Sequence, residues 1–336
     1  MVDTSYGSDQ HGLIWGYRFT SGRAAEEVGS EAAARALSDD SSGGPTEFFW
    51  LHFSLANSST ESWLNQNFKL PPAFFDSLHG EAESTRLEHD DDFLVAVIHD
   101  VLFGKGLEST GAGSTCLCIG PRFLVSVRLR PLRSIDQLRV VVRSGHTFHS
   151  PVELLAHLLH EQANMLTDIV RRSTAQVNGV EDKLLANRGS STTRAELGTM
   201  RRVLVRLQRL LAPEPAALFR LLNRPLDWIS KDDVQELQEA AEEFSAAISD
   251  SAGLVERVRL IQEELAAINT EQTGRTLFVL TVVTVMALPI NLVAGLFGMN
   301  VGGIPLAESG HGFLVVVMSL IALTGILAWV AWGRRS

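Results

Sequence analysis

Residues Leu277 to Phe297, LFVLTVVTVMALPINLVAGLF, run for 21 residues without one formal charge. A helix needs about 20 apolar residues to cross the hydrocarbon core of a bilayer, so this stretch reads as a membrane span. A second uncharged run, Phe313 to Trp332, holds 20 residues, and only residues 298–312 separate the two. The expectation is a membrane hairpin near the end of the chain. The first span also carries a stripe: Thr281, Thr284, Leu288, Asn291, Gly295 and Gly298 recur at helical spacing. Asn291 at membrane depth is costly unless it faces protein or water, and the glycines permit a close neighbouring helix. The stripe is therefore a helix-packing seam or a pore lining.

The first span ends in Gly298-Met299-Asn300, followed by Val301-Gly302-Gly303-Ile304-Pro305. In this ending, in its place before a second span, and in the large N-terminal part that precedes it, the sequence resembles the CorA superfamily of divalent-metal transporters. Pro289, Asn291 and the Gly-Gly-Ile-Pro tail are most similar to its zinc-associated ZntB branch. The resemblance implies a funnel-shaped homopentamer, a mixed sheet between helical layers, and a filter at Gly298, Met299 and Asn300. Rings of carbonyl and amide oxygens there would hold a divalent cation through its hydration shell. It further implies a pore lined by Thr281, Thr284, Leu288 and Asn291. By itself Gly-Met-Asn is also a competent helix C-cap. In the outer loop, Glu308 and His311 are candidates for drawing cations to the mouth, or ordinary exposed residues. The transported ion is expected to be Zn2+, with Mg2+, Co2+ or Ni2+ as alternatives, since an oxygen-only pore suits Mg2+ better. No cofactor is expected.

Composition leaves room for this. The formal net charge is −10, and no Lys/Arg-rich tract points to nucleic acid. From Lys231 to Gln272, eleven acids stand against three bases, a net −8, so most of the charge lies in one segment. Gathered round a symmetry axis, it would concentrate cations by field focusing; on any single residue it is a solvated helix face. Cys116 and Cys118 are the chain's two cysteines, which fits a reducing compartment and two small strand residues rather than a metal site. No signal-peptide pattern precedes Gly29, and Arg275, Arg334 and Arg335 flank the spans. Both termini are thus expected in the cytoplasm, with the 298–312 loop outside and, in a bacterium, the inner membrane as location.

Taken in order, residues 1–150 read as an α+β domain. Strands are expected at Leu13–Phe19, Glu47–Phe53, Phe93–Phe103, Thr115–Ile119 and Phe123–Arg130, with a further one at Val140–Val142. Helices are expected at Ala24–Leu37, Thr60–Asn67 and from Pro72 to Leu78. Residues 151–230 form a helical hairpin. A stalk helix over 231–276 runs on into the first span at 277–297. The outer loop (298–312), the second span (313–332) and a basic tail (333–336) complete the chain. The stalk shows a seam alternating four and three residues apart through Leu237, Ala241, Phe244, Ile248, Val255, Val258 and Leu265.

Two cytoplasmic groups are candidate metal ligands: Asp90, Asp91 and Asp92, and the helical face of His157, His160 and Glu161. Both have ordinary readings as solvated surface residues. No Walker loop, zinc-protease histidine pair or nucleophile elbow is present, so an enzyme is not expected. The spans contain no ionisable side chain to relay protons. A membrane-anchored metal sensor is the rival reading from another class.

Overall fold

The computed structural model describes residues 7–38, 47–79, 86–101, 112–185, 191–299 and 310–333. The chain forms two compact units, Met1–Ile261 and Gln262–Ser336.

The first unit is built on a seven-stranded sheet: β1 (Leu13–Thr20), β2 (Glu26–Glu27), β3 (Glu47–Ser54), β4 (Arg86–Asp90), β5 (Phe93–Val101), β6 (Ala112–Gly120) and β7 (Phe123–Arg128). The spatial order is β2-β1-β3-β7-β6-β5-β4, with β3 and β7 parallel and every other pair antiparallel. Both faces are apolar because the strands bury both sides. In β3, Phe48 and Trp50 enter one core while Phe49, Leu51 and Phe53 enter the other. Helices α1 (Ser30–Ser38), α2 (Thr60–Asn67) and α3 (Pro72–His79) cover the second face. The first face is covered by α4 (Arg133–Arg143), α5 (Pro151–Leu185), α7 (Pro213–Leu222) and the start of α8 (Lys231–Phe297), while α6 (Ser191–Leu211) connects α5 to α7. Cys116 and Cys118 are both free and buried on the α1–α3 face. Burial pushes the Cys116 thiol up to about 12 and raises that of Cys118 as well, so neither is a ready thiolate.

Two expectations are corrected here. Val140–Val142 is not a strand but the last turns of α4. Ile135, Leu138 and Val142 recur at helical spacing on the core side, while Val140 is 58% exposed. The helix expected from Ala24 begins only at Ser30, because Glu26 and Glu27 pair with β1. That edge depends on Gly16: a Cβ there would stand 2.5 Å from the Val28 carbonyl oxygen, and the Val28 N–H donates to the Gly16 carbonyl at 2.9 Å.

Two helix starts are tied together. Ser150 caps α5, its Oγ accepting from the Glu153 N–H at 2.9 Å, and Glu153 Oε2 reaches back to accept from the His149 N–H, one residue before the cap, at 2.5 Å. Ser230 caps α8, accepting from the Asp233 N–H at 3.0 Å. Asp233 in turn accepts from the hydroxyls of both Ser230 and Ser150. Ser230→Ala is expected to cost about 1 kcal/mol of stability, readable in a urea melt; no change would mean the helix needs no cap.

The stalk seam lies one position off the expected one at two places. Leu237, Ala241, Phe244, Val258 and Leu265 are buried as expected, but Ala247 and Leu254 are buried rather than Ile248 and Val255. Within each heptad counted from Leu237, a buried residue stands three places on, at Ala240, Ala247, Leu254 and Ile261, the spacing of a packed helical seam. Arg257 anchors the seam to α5, with Nε donating to Glu181 Oε1 at 2.9 Å and Nη2 to Asn178 Oδ1 at 2.8 Å.

His52, on β3, is completely buried. Its Nδ1 lies 2.7 Å from Ser126 Oγ, which also accepts from Trp50 Nε1 at 3.0 Å, and the Trp15 ring stacks on it at 4.2 Å. Burial, then the charges of Arg128 and Arg139, hold its imidazole well below the ordinary value. Below pH 6.5 or so the unfolded chain takes up a proton that the folded chain refuses, so stability falls with decreasing pH by about 1.4 kcal/mol per unit until His52 itself protonates. In urea melts at pH 8 and pH 5.5, His52→Gln is expected to lose that part of the pH dependence. An unchanged slope would mean His52 does not carry it.

Candidate functional site

In the second unit, α8 continues through Leu277–Phe297 as one helix, despite Pro289. Those residues span roughly 32 Å at 1.5 Å per residue, which matches a bilayer core. Among the described residues α8 is the one helix both long and apolar enough to cross a membrane. A further apolar helix, α9 (Gly312–Gly333), carries no charged residue. Leu288 is 64% exposed and Phe313 83% in the single chain. Surface that apolar needs lipid or another chain against it.

The stripe keeps to one side of the helix. At 3.6 residues per turn, Thr281, Thr284, Leu288, Asn291, Gly295 and Gly298 fall within an arc of about 100°. All six are exposed in the single chain. Each threonine hydroxyl donates to the carbonyl four residues back: Thr281 to Leu277 and Thr284 to Leu280, both at 2.8 Å. With their protons used internally, the hydroxyl oxygens offer lone pairs outward. A stripe of such oxygens is an acceptor surface suited to cations or their hydration water. A Cβ added at Gly295 would meet nothing within 4 Å, so this glycine is not required by the chain's own packing.

Gly298 ends the helix, its N–H donating to the Ala294 carbonyl at 2.9 Å. Gly298 and Met299 are both exposed. Asn300 and Glu308 lie outside the described residues. His311 is exposed, and its carbonyl accepts from the Val315 N–H at 3.1 Å in the first turn of α9.

The two candidate groups outside the apolar helices do not come together. Asp90, Asp91 and Asp92 lie at the turn between β4 and β5, where Asp91 takes a positive φ of 51° and the Asp92 carbonyl accepts from Trp228 Nε1 at 2.8 Å. On α5, His157 Nε2 is 3.9 Å from Glu161 Oε1, whereas His160 turns to Glu243 of α8, Nδ1 to Oε2 at 2.5 Å. Burial, then His146 and His160, lower the His157 pKa, and burial raises that of Glu161. Among the described residues no three His, Cys, Asp or Glu side chains converge on one point.

One buried acidic residue was not singled out from the sequence. Glu214, in the first turn of α7, is fully buried, and neither carboxyl oxygen has a hydrogen-bond partner. Burial, then the nearby Asp100, push its pKa well above the usual range. Its signals in the sequence are a glutamate between Pro213 and Pro215 and an aspartate ending the apolar run of β5.

The sequence matches the family of CorA-like Mg2+ transporter proteins over residues 45–332. It is 28% identical over 324 residues to the divalent cation transporter CmaX of Pseudomonas aeruginosa, covering 96% of each chain. It is 24% identical to the zinc transport protein ZntB of Pectobacterium carotovorum, covering 93% of this chain and 98% of that one. The structure superposes on full-length CmaX with a TM-score of 0.82 at 27% identity, over 98% of this chain and 100% of that one. On the CorA magnesium transporter of Methanocaldococcus jannaschii the TM-score is 0.74 at 19% identity, over 94% and 96%, a likeness of fold. With the mixed sheet, the long apolar helix and its polar stripe, the match across most of its length means that the chain belongs to the CorA-like family of transporter proteins.

Proposed function

We propose that the protein moves divalent cations, zinc foremost, through a central pore formed by five copies of the chain. One observation carries the reading: an otherwise apolar helix presents Thr281, Thr284, Leu288, Asn291 and Gly295 along one exposed line, with the threonine oxygens as acceptors. An anchor has no use for Asn291 at that depth. Around a symmetry axis, Leu288 becomes an apolar constriction between oxygen rings, and Gly298, Met299 and Asn300 make the outer filter. Residues 277–297 and 313–332 are the two spans, residues 1–276 and the basic tail are cytoplasmic, and the bacterial inner membrane is the location. Glu308 and His311 draw cations to the outer mouth.

Zinc as the preferred ion is supported by the Gly302-Gly303-Ile304-Pro305 tail and by the relative named for zinc transport. An oxygen-only donor set favours magnesium, the second reading. Ion uptake into liposomes carrying the purified protein separates them. Zinc flux that rises with an inward proton gradient supports the first, proton-indifferent magnesium flux the second, and no flux of either ion leaves a membrane-anchored sensor. Asn291→Leu is expected to cut flux at least about tenfold, equivalent to 1.4 kcal/mol of barrier, while leaving assembly on a sizing column unchanged. Wild-type flux in this variant would remove Asn291 from the pore.

A further inference from the structure

Within the first unit, surface charge is divided between two helices. α6 carries Arg194, Arg201, Arg202, Arg206 and Arg209 against one acid, Glu196. All five arginines are exposed. At 3.6 residues per turn they occupy an arc of about 140°, turned away from the line of Leu197, Leu204 and Leu211 that the helix buries. Arg202 donates to Thr199 Oγ1 at 2.9 Å, but no ion pair among the described residues takes up any of the five.

α8 is the reverse. From Lys231 to Ile261 it holds eight acids against three bases, and two of those bases are engaged, Arg257 with Glu181 and Arg259 with Glu256. Glu239, Glu242, Glu256 and Leu260 are exposed and fall within an arc of about 100°, on the side away from the buried Leu237, Phe244 and Val258. Glu239 and Glu242 accept from the neutral amides of Gln235 at 2.9 Å and Gln238 at 3.1 Å, and no cation meets either among the described residues. Glu256 has its pKa lowered by the Arg259 hydrogen bond, and the charge of Arg201 in the same chain adds to this from beyond ion-pair distance.

An assembly of several copies brings such acidic helices near one another, and like charge opposes that unless counter-charge is supplied. The same chain carries it. The arginine line spans about 22 Å and the line from Glu239 to Glu256 about 26 Å at 1.5 Å per residue, so one can lie along the other. Guanidinium groups match carboxylates in geometry as well as charge. Leu260 adds an apolar contact point inside the acidic face. A phosphate-bearing lipid surface would also suit the arginines, but it would leave the acids of α8 uncompensated.

We propose that the arginine face of α6 docks on the acidic outer face of α8 in a neighbouring copy of the chain. The contact rests on the many-copy part of the reading above, and neither on the transported ion nor on the pore lining. It joins two different patches, so each copy both gives and receives, the head-to-tail arrangement that closes into a ring. The acids of this segment are then neutralised by the neighbour's arginines instead of standing as a field for cations.

The test co-expresses two full-length chains with different tags and purifies the mixed assembly in phosphatidylcholine nanodiscs. One chain carries Arg202→Lys and Arg206→Lys, which keep the charge, together with Glu239→Gln and Glu242→Gln; the other is wild type. Carbodiimide joins a lysine amine to a carboxylate it touches, so a link from position 202 or 206 to Glu239 or Glu242 can form only between copies. The expected result is that link in the peptide mass spectrum, lost when positions 202 and 206 are glutamine. A wild type of several chains by light scattering whose mixed assembly gives no such link overturns this contact and leaves the many-copy reading standing. A wild type of one chain overturns both. Absence of the link together with protection of the two lysine amines from acetylation in phosphatidylglycerol nanodiscs alone assigns the face to lipid, and overturns the contact as well.

Discussion

Asn300→Ala is expected to abolish divalent-cation flux in reconstituted liposomes. In the sequence Asn300 follows Met299 just beyond the end of α8, and the proposed pore reading assigns its amide to the outer filter. An ion entering there sheds or reorganises hydration water, and a ring of amide oxygens offsets that cost. Alanine removes the oxygen from every subunit at once. Raising the barrier by only about 2.8 kcal/mol is enough for a 100-fold loss of rate, and several coordinating oxygens are at stake together. The substitution lies beyond the helix and outside the α+β core, so the thermal melt is expected to be unchanged. Undiminished uptake of both zinc and magnesium would sink the filter assignment and return Gly298-Met299-Asn300 to the role of a helix cap.

The second large effect concerns stability. Trp50→Ala is expected to destabilise the first unit by about 3–5 kcal/mol. Trp50 is fully buried in β3, between β1 and β7 at the centre of the sheet. It meets Trp15 edge-on at 5.9 Å and Tyr17 at 6.0 Å, and its indole N–H donates to Ser126 Oγ. Alanine leaves a cavity in a close-packed layer and takes a hydrogen bond from the Ser126–His52 pair. Trp50→Phe keeps much of the volume and is expected to cost less. The readout is the denaturation midpoint of the purified protein; a loss under about 1 kcal/mol would mean that this face repacks freely.

Legibility followed the range of the signal. The apolar length of 277–297 and the Thr281–Gly298 stripe depend on residues a few positions apart, and a helix displays such residues on one face whatever surrounds it. The Val140–Val142 run shows the opposite. Three β-branched residues favour a strand, yet burial of Ile135, Leu138 and Val142 against the sheet makes the segment a helix and leaves Val140 in solvent. Tertiary contact outweighs propensity there, since burying large apolar side chains contributes more than the few tenths of a kcal/mol separating helix from strand preference.

By itself the sequence determined the long apolar helix, its polar line, the glycine ending, the acidic segment before it and the α+β character of what precedes them. The tertiary structure alone decided the parallel pairing of β3 with β7, the burial of Ala247 and Leu254 along the stalk in place of Ile248 and Val255, and the full burial of Glu214. The physical reason is the same in each case. Local periodicity is written along the chain, whereas which distant residues share a dry interior is settled only when whole elements compete to bury their faces against one another.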